Sequence, residues 1–394
     1  MARRRNSRDD VPIRLLTAVP LCDGHDSAIS TINLEFIRHG IEVVYLGYHR
    51  SVRDIVRAAV QEDVAAVGIS SYNGGHVEFF SAAVAGLRKE GANDIGVFGG
   101  GGGTISAADA AAMKRRGVDR IFFPGESLEE MVRYVKKTYA ARAFSRPARG
   151  PRPDGKDTPT DRTIARALTQ AENGASIQIG TARDSISPLV IGVTGPGGAG
   201  KTTLIDELVL RFLRANPKAR VAILSHDPSI VGDGALLGDR ATMIYSQDDR
   251  VVMRSLASRG QAGGLSPATD RCLDLLKNLG AFDVIFVETV GIGQEAMPFV
   301  NGVVDHTVLV MSPDYGSRLQ LQKIVMLDVA DLIVINKSDM SRARTASAEV
   351  EGRLEANGRG QKLLSTVAKR HGDAGVNQLF DLLTADHKGA PAKS

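Results

Sequence analysis

The chain has 394 residues, 49 Lys and Arg against 45 Asp and Glu, 42 glycines, no tryptophan and 5% aromatic residues. That length holds two or three domains with cores of their own, and the composition suits Ala/Val-rich α/β folds. The net charge of +4 owes much to a basic start and a basic linker, so it gives no ground for nucleic-acid binding. No apolar run approaches a membrane span, and two cysteines, Cys22 and Cys272, form neither a disulfide framework nor a zinc spacing, which fits a reducing cytoplasm.

Residues 1–12 read as a disordered basic tail; they lack the apolar core of a signal peptide. From 13 to 140, strand and helix patterns alternate five times. The β-rich runs are 13–19, 41–46, 64–70, 95–98 and 120–123; the helical periodicities are 29–37, 52–60, 77–87, 107–114 and 128–135. The order predicts a five-stranded, parallel, doubly wound sheet of flavodoxin-like type, whose ligands sit outside the carboxyl ends of the strands. Three loops lie there: Asp23-Gly24-His25-Asp26, Ser70-Ser71-Tyr72-Asn73-Gly74-Gly75-His76, and Gly99-Gly100-Gly101-Gly102-Gly103-Thr104. An imidazole flanked by carboxylates suits metal ligation through one nitrogen, with a carboxylate on the other fixing the tautomer. Five successive glycines remove every Cβ from a groove wall, so a bulky ligand can lie against the backbone. His76 reads equally well as a polar group at a helix start, and Tyr72 as an ordinary loop aromatic.

Residues 141–162 carry Arg142, Arg146, Arg149, Arg152 and Lys156 among Pro147, Pro151, Pro153 and Pro159, a linker composition that sustains neither helix nor core. A second domain is expected over 163–386, led in by the amphipathic Thr163-Ile164-Ala165-Arg166-Ala167-Leu168, with a disordered tail at 387–394. Within it the apolar run Leu189-Val190-Ile191-Gly192-Val193-Thr194 precedes Gly195-Pro196-Gly197-Gly198-Ala199-Gly200-Lys201-Thr202, and a helical pattern follows Thr203. Strand, glycine loop and helix in that order make an anion cradle. Loop N–H groups face phosphates, Lys201 reaches the outer ones and Thr202 can hold Mg²⁺. Further on, Ala330-Asp331-Leu332-Ile333-Val334-Ile335 runs into Asn336-Lys337-Ser338-Asp339. A carboxylate at Asp339 can accept from the N1–H and exocyclic amine of guanine, a donor pair adenine lacks. GTP is the expected ligand.

The three loops of the first domain resemble the cobalamin-binding domain of adenosylcobalamin-dependent acyl-CoA mutases. The resemblance implies His25 as the lower cobalt ligand in a base-off, His-on cofactor, with Asp23 as its partner. It places Ser70 and Ser71 near the cofactor's nucleotide tail, and Gly99, Gly100, Gly101, Gly102 and Gly103 along the groove for that tail. Ala28 stands where the family usually has glycine, which would narrow this channel.

The second domain resembles the G-protein chaperones of the same mutases. It shares the loop through Thr203, Asp227-Pro228-Ser229 through Gly234-Ala235-Leu236-Leu237-Gly238-Asp239-Arg240, Glu288-Thr289-Val290-Gly291, and Asn336, Lys337 and Asp339. The resemblance implies catalytic roles for Lys201, Asp239 and Glu288. It implies Mg²⁺ organised by Thr202, Asp227, Asp239 and Glu288, and γ-phosphate sensing by Gly291. GTP would be held by Gly195, Gly197, Gly198, Ala199, Gly200, Lys201, Thr202, Thr203, Gly291, Asn336, Lys337 and Asp339. The stretch Ile230-Val231-Gly232-Asp233 is about one residue shorter than usual in this branch, which affects the switch loop.

The order of the two resemblances is that of the front part of the fused isobutyryl-CoA mutases, without their substrate barrel. The expected function is a cobalamin-binding subunit joined to a GTP-hydrolysing chaperone that gates cofactor loading or protects the mutase. Its partner would be a separate large mutase subunit, with a cobalamin adenosyltransferase and a homodimer through the G domain left open. Neither nucleic acid nor membrane is expected. Three other readings stay open: a metallochaperone GTPase, a corrinoid methyl-transfer carrier, and a nucleotide-gated scaffold whose sheet domain binds no cobalamin.

Overall fold

A computed structural model of the chain describes residues 12–20, 27–72, 74–144, 159–175, 187–229, 234–261, 263–291, 298–299, 302–315 and 325–385. It forms two compact units. The first joins the N-terminal stretch to Asp157–Gln178 and Ser229–Ala241; the second comprises the remainder.

In chain order the elements are β1 (Arg14–Ala18), α1 (Ser27–Arg38), β2 (Glu42–Tyr45), α2 (Val52–Gln61), β3 (Ala66–Ser70), α3 (His76–Lys89), β4 (Gly96–Gly100), α4 (Ala107–Arg115), β5 (Arg120–Phe122), α5 (Leu128–Phe144) and α6 (Asp161–Glu172). There follow β6 (Leu189–Thr194), α7 (Lys201–Ala215), β7 (Val221–Asp227), β8 (Ala235–Leu237), β9 (Val251–Ala257), α8 (Thr269–Asn278), β10 (Val284–Glu288), β11 (His306–Met311), β12 (Leu332–Ile335), α9 (Ala343–Asn357), β13 (Lys362–Ser365) and α10 (Ala374–Thr384).

The five predicted alternations are all present in the first unit, in the parallel order β5-β4-β3-β1-β2. The strands are short apolar runs because helices cover both faces, as in parallel sheets generally. Local chemistry starts the helices. Ser51 accepts from Asp54 N while the Asp54 carboxylate accepts from Ser51 N, a capping box repeated by Ser106 and Asp109. The aromatic core packs edge-on, with Phe36 and Phe122 each about perpendicular to Phe98.

Two features go beyond the sequence reading. The sheet has six strands, because β8 pairs in parallel with β2. The helix expected to lead into the second domain, α6, makes its contacts within the first compact unit. In α6, Ile164, Ala165 and Leu168 are buried, Arg162 and Arg166 both pair with Asp94, and Glu172 accepts from Arg14 at 2.9 Å.

The second unit is a seven-stranded parallel sheet in the order β13-β12-β11-β6-β10-β7-β9. Its core is built from β6, β7, β10 and β11 against the apolar face of α7, where Leu204, Ile205, Leu208 and Val209 are fully buried. Among the described residues, no helix is long and apolar enough to cross a membrane.

Candidate functional site

The glycine loop of the second unit joins the carboxyl end of the central strand β6 to the first residue of α7. Gly200, before the helix, adopts φ +91°, and a Cβ there would meet the Asn336 amide nitrogen at 2.3 Å. Glycine is required on both counts. Lys201 is buried, and its ammonium donates to the carbonyls of Gly195 at 3.1 Å and Pro196 at 3.4 Å. Thr202 Oγ1 donates to Glu288 Oε1 at 2.7 Å, and Ser225 Oγ donates to Glu288 Oε2 at 3.3 Å. Parallel register makes this possible: Glu288 lies opposite both Val193 of β6 and Ser225 of β7. Asp227 is buried two residues beyond Ser225, on the same face of β7. Gly291 comes so close to the loop that a Cβ on it would stand 2.6 Å from the Gly197 Cα. Thr203 is exposed in the first turn of α7.

The far end of the loop is braced by Asn336. Its amide donates to the Ala199 carbonyl at 2.9 Å, and its oxygen accepts from Thr366 Oγ1 at 3.1 Å and Ala368 N at 3.0 Å. Lys337 takes φ +59° in the turn after β12. The Asp339 carboxylate pairs with Lys369 at 2.7 Å, whose ammonium holds its pKa below the ordinary carboxylate range. Thr366, Ala368 and Lys369 were missed by the sequence reading. Their signal is the segment Ser365-Thr366-Val367-Ala368-Lys369 at the end of a parallel strand beside β12. Ser225 was missed because only strand register brings it to Glu288. His226 is structural: its ring bridges the Glu288 carbonyl at 2.7 Å and Thr269 Oγ1 at 2.8 Å.

The donors near the loop suit Mg²⁺. They are hard oxygens from Thr202, Glu288 and Asp227, and Mg²⁺ keeps waters and takes phosphate oxygens, so few protein ligands suffice. Among the described residues no group of three or more His, Cys, Asp or Glu could by itself hold a metal. Asp239 opens the short 3-10 turn that follows β8. β8 pairs with β2 and Arg240, the next residue of the turn, is buried.

At the carboxyl end of the first sheet lies an apolar cavity of about 440 Å³. It is lined by Thr17, Ser70, Tyr72 and Gly99 through Gly102, with Phe98, Phe122 and Ala28. Its volume lies in the range of small-molecule sites, about 300–1,000 Å³. Ala28 contributes its methyl to this wall without closing it. The glycines have a second reason beyond the one sequence suggests. A Cβ on Gly99 would meet the Ile69 carbonyl at 2.2 Å, and one on Gly101 the Ser71 carbonyl at 1.8 Å. They let β4 and its loop approach β3 closely, as well as baring the cavity wall. Ser71 is buried and its N–H donates to the Gly100 carbonyl. His76 opens α3 with its Nε2 3.3 Å from Asp109 Oδ2. Asp23 and His25 lie outside the described residues, as does 230–233.

A parallel sheet carrying a glycine loop, a Thr–Glu pair at its mouth and an Asn brace behind it defines the P-loop nucleotide-binding class. Residues 164–388 match the family described as methylmalonyl Co-A mutase-associated GTPase MeaB, and residues 13–133 match the B12 binding domain. The chain belongs to this GTPase family and carries a B12-binding domain ahead of it. It is 36% identical to the fused isobutyryl-CoA mutase of Geobacillus kaustophilus, over 93% of this chain and 36% of that one. The fused isobutyryl-CoA mutase of Cupriavidus metallidurans is 38% identical over 93% and 35%, and that of Nocardia farcinica 39% identical over 94% and 36%. The chain thus spans about a third of the length of these curated relatives, and corresponds to their B12- and GTPase-bearing part.

Proposed function

We propose that the chain handles the cofactor of an adenosylcobalamin-dependent acyl-CoA mutase, binding cobalamin in its first unit and hydrolysing GTP in its second. The observation that carries the reading is the Thr202–Glu288 pair at 2.7 Å beside the glycine loop, in a chain that also bears a B12-binding domain. GTP would lie with its phosphates along the N–H groups of 197–202 and its base against Asp339. Lys201 would leave the loop carbonyls for the phosphate oxygens, offsetting their charge. Thr202, Asp227, Asp239 and Glu288 would hold Mg²⁺, which supplies charge neutralisation at the transferring phosphate. Such a site works by positioning and electrostatics, with no covalent enzyme intermediate.

In the first unit, His25 would ligate cobalt in the base-off, His-on form with Asp23 behind it. The cavity between Ser70, Tyr72 and the glycines would take the displaced nucleotide tail. When bound, adenosylcobalamin supplies the radical chemistry through cobalt–carbon homolysis. The chain's own residues hold the cofactor and present it to a separate large mutase subunit. GTP hydrolysis would gate loading or protect the cofactor, with an adenosyltransferase and a G-domain homodimer as further expected associations.

A titration of the full chain with adenosylcobalamin, read by its visible spectrum and repeated on His25→Ala, tests the first half. A base-off, His-on spectrum that the variant loses supports it; an unchanged spectrum sinks the ligand assignment. Phosphate release from GTP in the same preparations is expected to be alike in both proteins.

A further inference from the structure

β1 lies inside the first sheet, with β2 on one side and β3 on the other, and its Thr17 stands opposite Tyr45 and Gly68. Placed between Leu16 and Ala18, Thr17 is 2% exposed, and its Oγ1 has no hydrogen-bond partner among the described residues. Burying a hydroxyl without a partner is costly, and a folded protein that does so needs a reason. Valine has nearly the same shape without that cost, and it suits a strand equally well.

The reason lies beside it. Thr17 lines the apolar cavity of about 440 Å³ at the carboxyl end of the sheet. Its neighbour Gly68 lines the same cavity and puts no side chain in the way. A Cβ there would stand 3.4 Å from the Thr17 methyl carbon and 3.0 Å from Phe98 Cζ. Phe98 and Phe122 give the cavity aromatic walls, and the Tyr72 ring lies so near the Gly102 backbone that a Cβ there would meet it at 2.2 Å. Aromatic walls favour another flat ring, edge-on or offset. The cavity thus offers apolar surface to such a ring and a buried hydroxyl to a polar atom on it.

We propose that Thr17 is the residue by which this cavity selects the base of a corrinoid's nucleotide tail, donating a hydrogen bond to a ring nitrogen of a benzimidazole-type base. The inference rests on the cobalamin reading of the first unit and deepens it. Base-off binding frees the nitrogen that otherwise faces cobalt. Such a base, joined to ribose through its other nitrogen, has no ring N–H, so the freed nitrogen only accepts and a hydroxyl is its natural donor. Left unmet in an apolar cavity, that nitrogen would oppose entry of the ring. Hydroxyl and nitrogen satisfy each other when the tail is seated.

The test compares the full chain with Thr17→Val and Thr17→Ser, measuring by ultrafiltration the binding of three corrinoids with the same upper ligand. They are cobalamin, with its dimethylbenzimidazole tail, a p-cresolyl corrinoid, whose ring has no nitrogen, and cobinamide, which has no tail ring. Thr17→Val is expected to weaken cobalamin binding about fivefold or more, the scale of one buried hydrogen bond whose acceptor is left unmet, and to leave the other two within about twofold. Thr17→Ser keeps the hydroxyl and should restore the selectivity. Without ligand, Thr17→Val should unfold at a urea concentration no lower than wild type, because the hydroxyl it removes has no partner to lose. Equal losses for all three corrinoids, or a lowered urea midpoint, would make Thr17 a structural residue and overturn the inference. Cobalamin binding that Thr17→Val leaves unchanged overturns it as well. Failure of the wild-type chain to bind any of the three overturns the cobalamin reading itself, and the inference with it.

Discussion

The two candidate sites are made in opposite ways. The glycine-loop site of the second unit is a set of directed polar contacts: Lys201 on loop carbonyls, Thr202 on Glu288, and Asn336 on Ala199, Thr366 and Ala368. The first unit's cavity is a shape, walled by phenylalanines and by glycines that let β4 press against β3. A site of the first kind shows in a short motif, because its backbone geometry and ligands are nearly contiguous. A site of the second kind shows only weakly, because glycine can mark a ligand groove or close strand packing, and here it marks both.

The largest effect expected from breaking this contrast is on catalysis. Lys201→Ala removes the cation that would face the phosphates, and GTP hydrolysis is expected to fall at least about a hundredfold, the scale for losing one preorganised electrostatic partner. Corrinoid binding in that variant should stay within about twofold of wild type on the same scale of reasoning. Phosphate release and a cobalamin titration on one preparation decide it, and loss of both activities would show that the two sites do not work independently.

Next comes Gly101→Ala. Its Cβ would stand 1.8 Å from the Ser71 carbonyl, so the backbone must move, and stability of the first unit should fall by about 1–3 kcal/mol. Urea unfolding measures this. An unchanged midpoint with abolished corrinoid binding would mean that the glycine serves the ligand and not the packing.

The smallest effect concerns Asp206 under the glycine loop. Burial pushes its pKa up to about 6, against the two backbone N–H donors that pull it down. In the unfolded chain it titrates near 4, so between about pH 4 and 6 the folded state holds more protons. The group's contribution is therefore fully present below about pH 4 and is lost as pH rises through 6. Between pH 7.5 and 5 the wild type should gain on the order of 1–2 kcal/mol relative to Asp206→Asn. Parallel pH profiles of unfolding for the two proteins would refute the raised pKa.

Much of the architecture was legible residue by residue. The first five strands and the first four helices fall within a few residues of the apolar periodicities, whereas α5 runs on to Phe144, past the periodicity at 128–135 and into the stretch read as linker. Ser51 and Ser106 announce their helices with acidic residues three positions on. Asn336 was legible as part of a guanine motif, yet its three bonds to Ala199, Thr366 and Ala368 were not, since they span up to 137 residues of chain. Asp239 was read into the Mg²⁺ set by resemblance, from its place in the Gly-Asp-Arg that follows the apolar run of β8.

By itself the sequence determined the two parallel α/β sheets, the phosphate loop and its helix. Each depends on residues close in the chain, where alternation and glycine conformation act locally. Tertiary structure alone decided that α6 and Ser229–Ala241 complete the first unit, and that Thr202, Ser225 and Glu288 converge. A three-residue strand has too little periodicity to declare its partner. What chooses for it is an unpaired sheet edge, the apolar burial of Ala235 and Leu237, and a buried carboxylate waiting for the charge of Arg240.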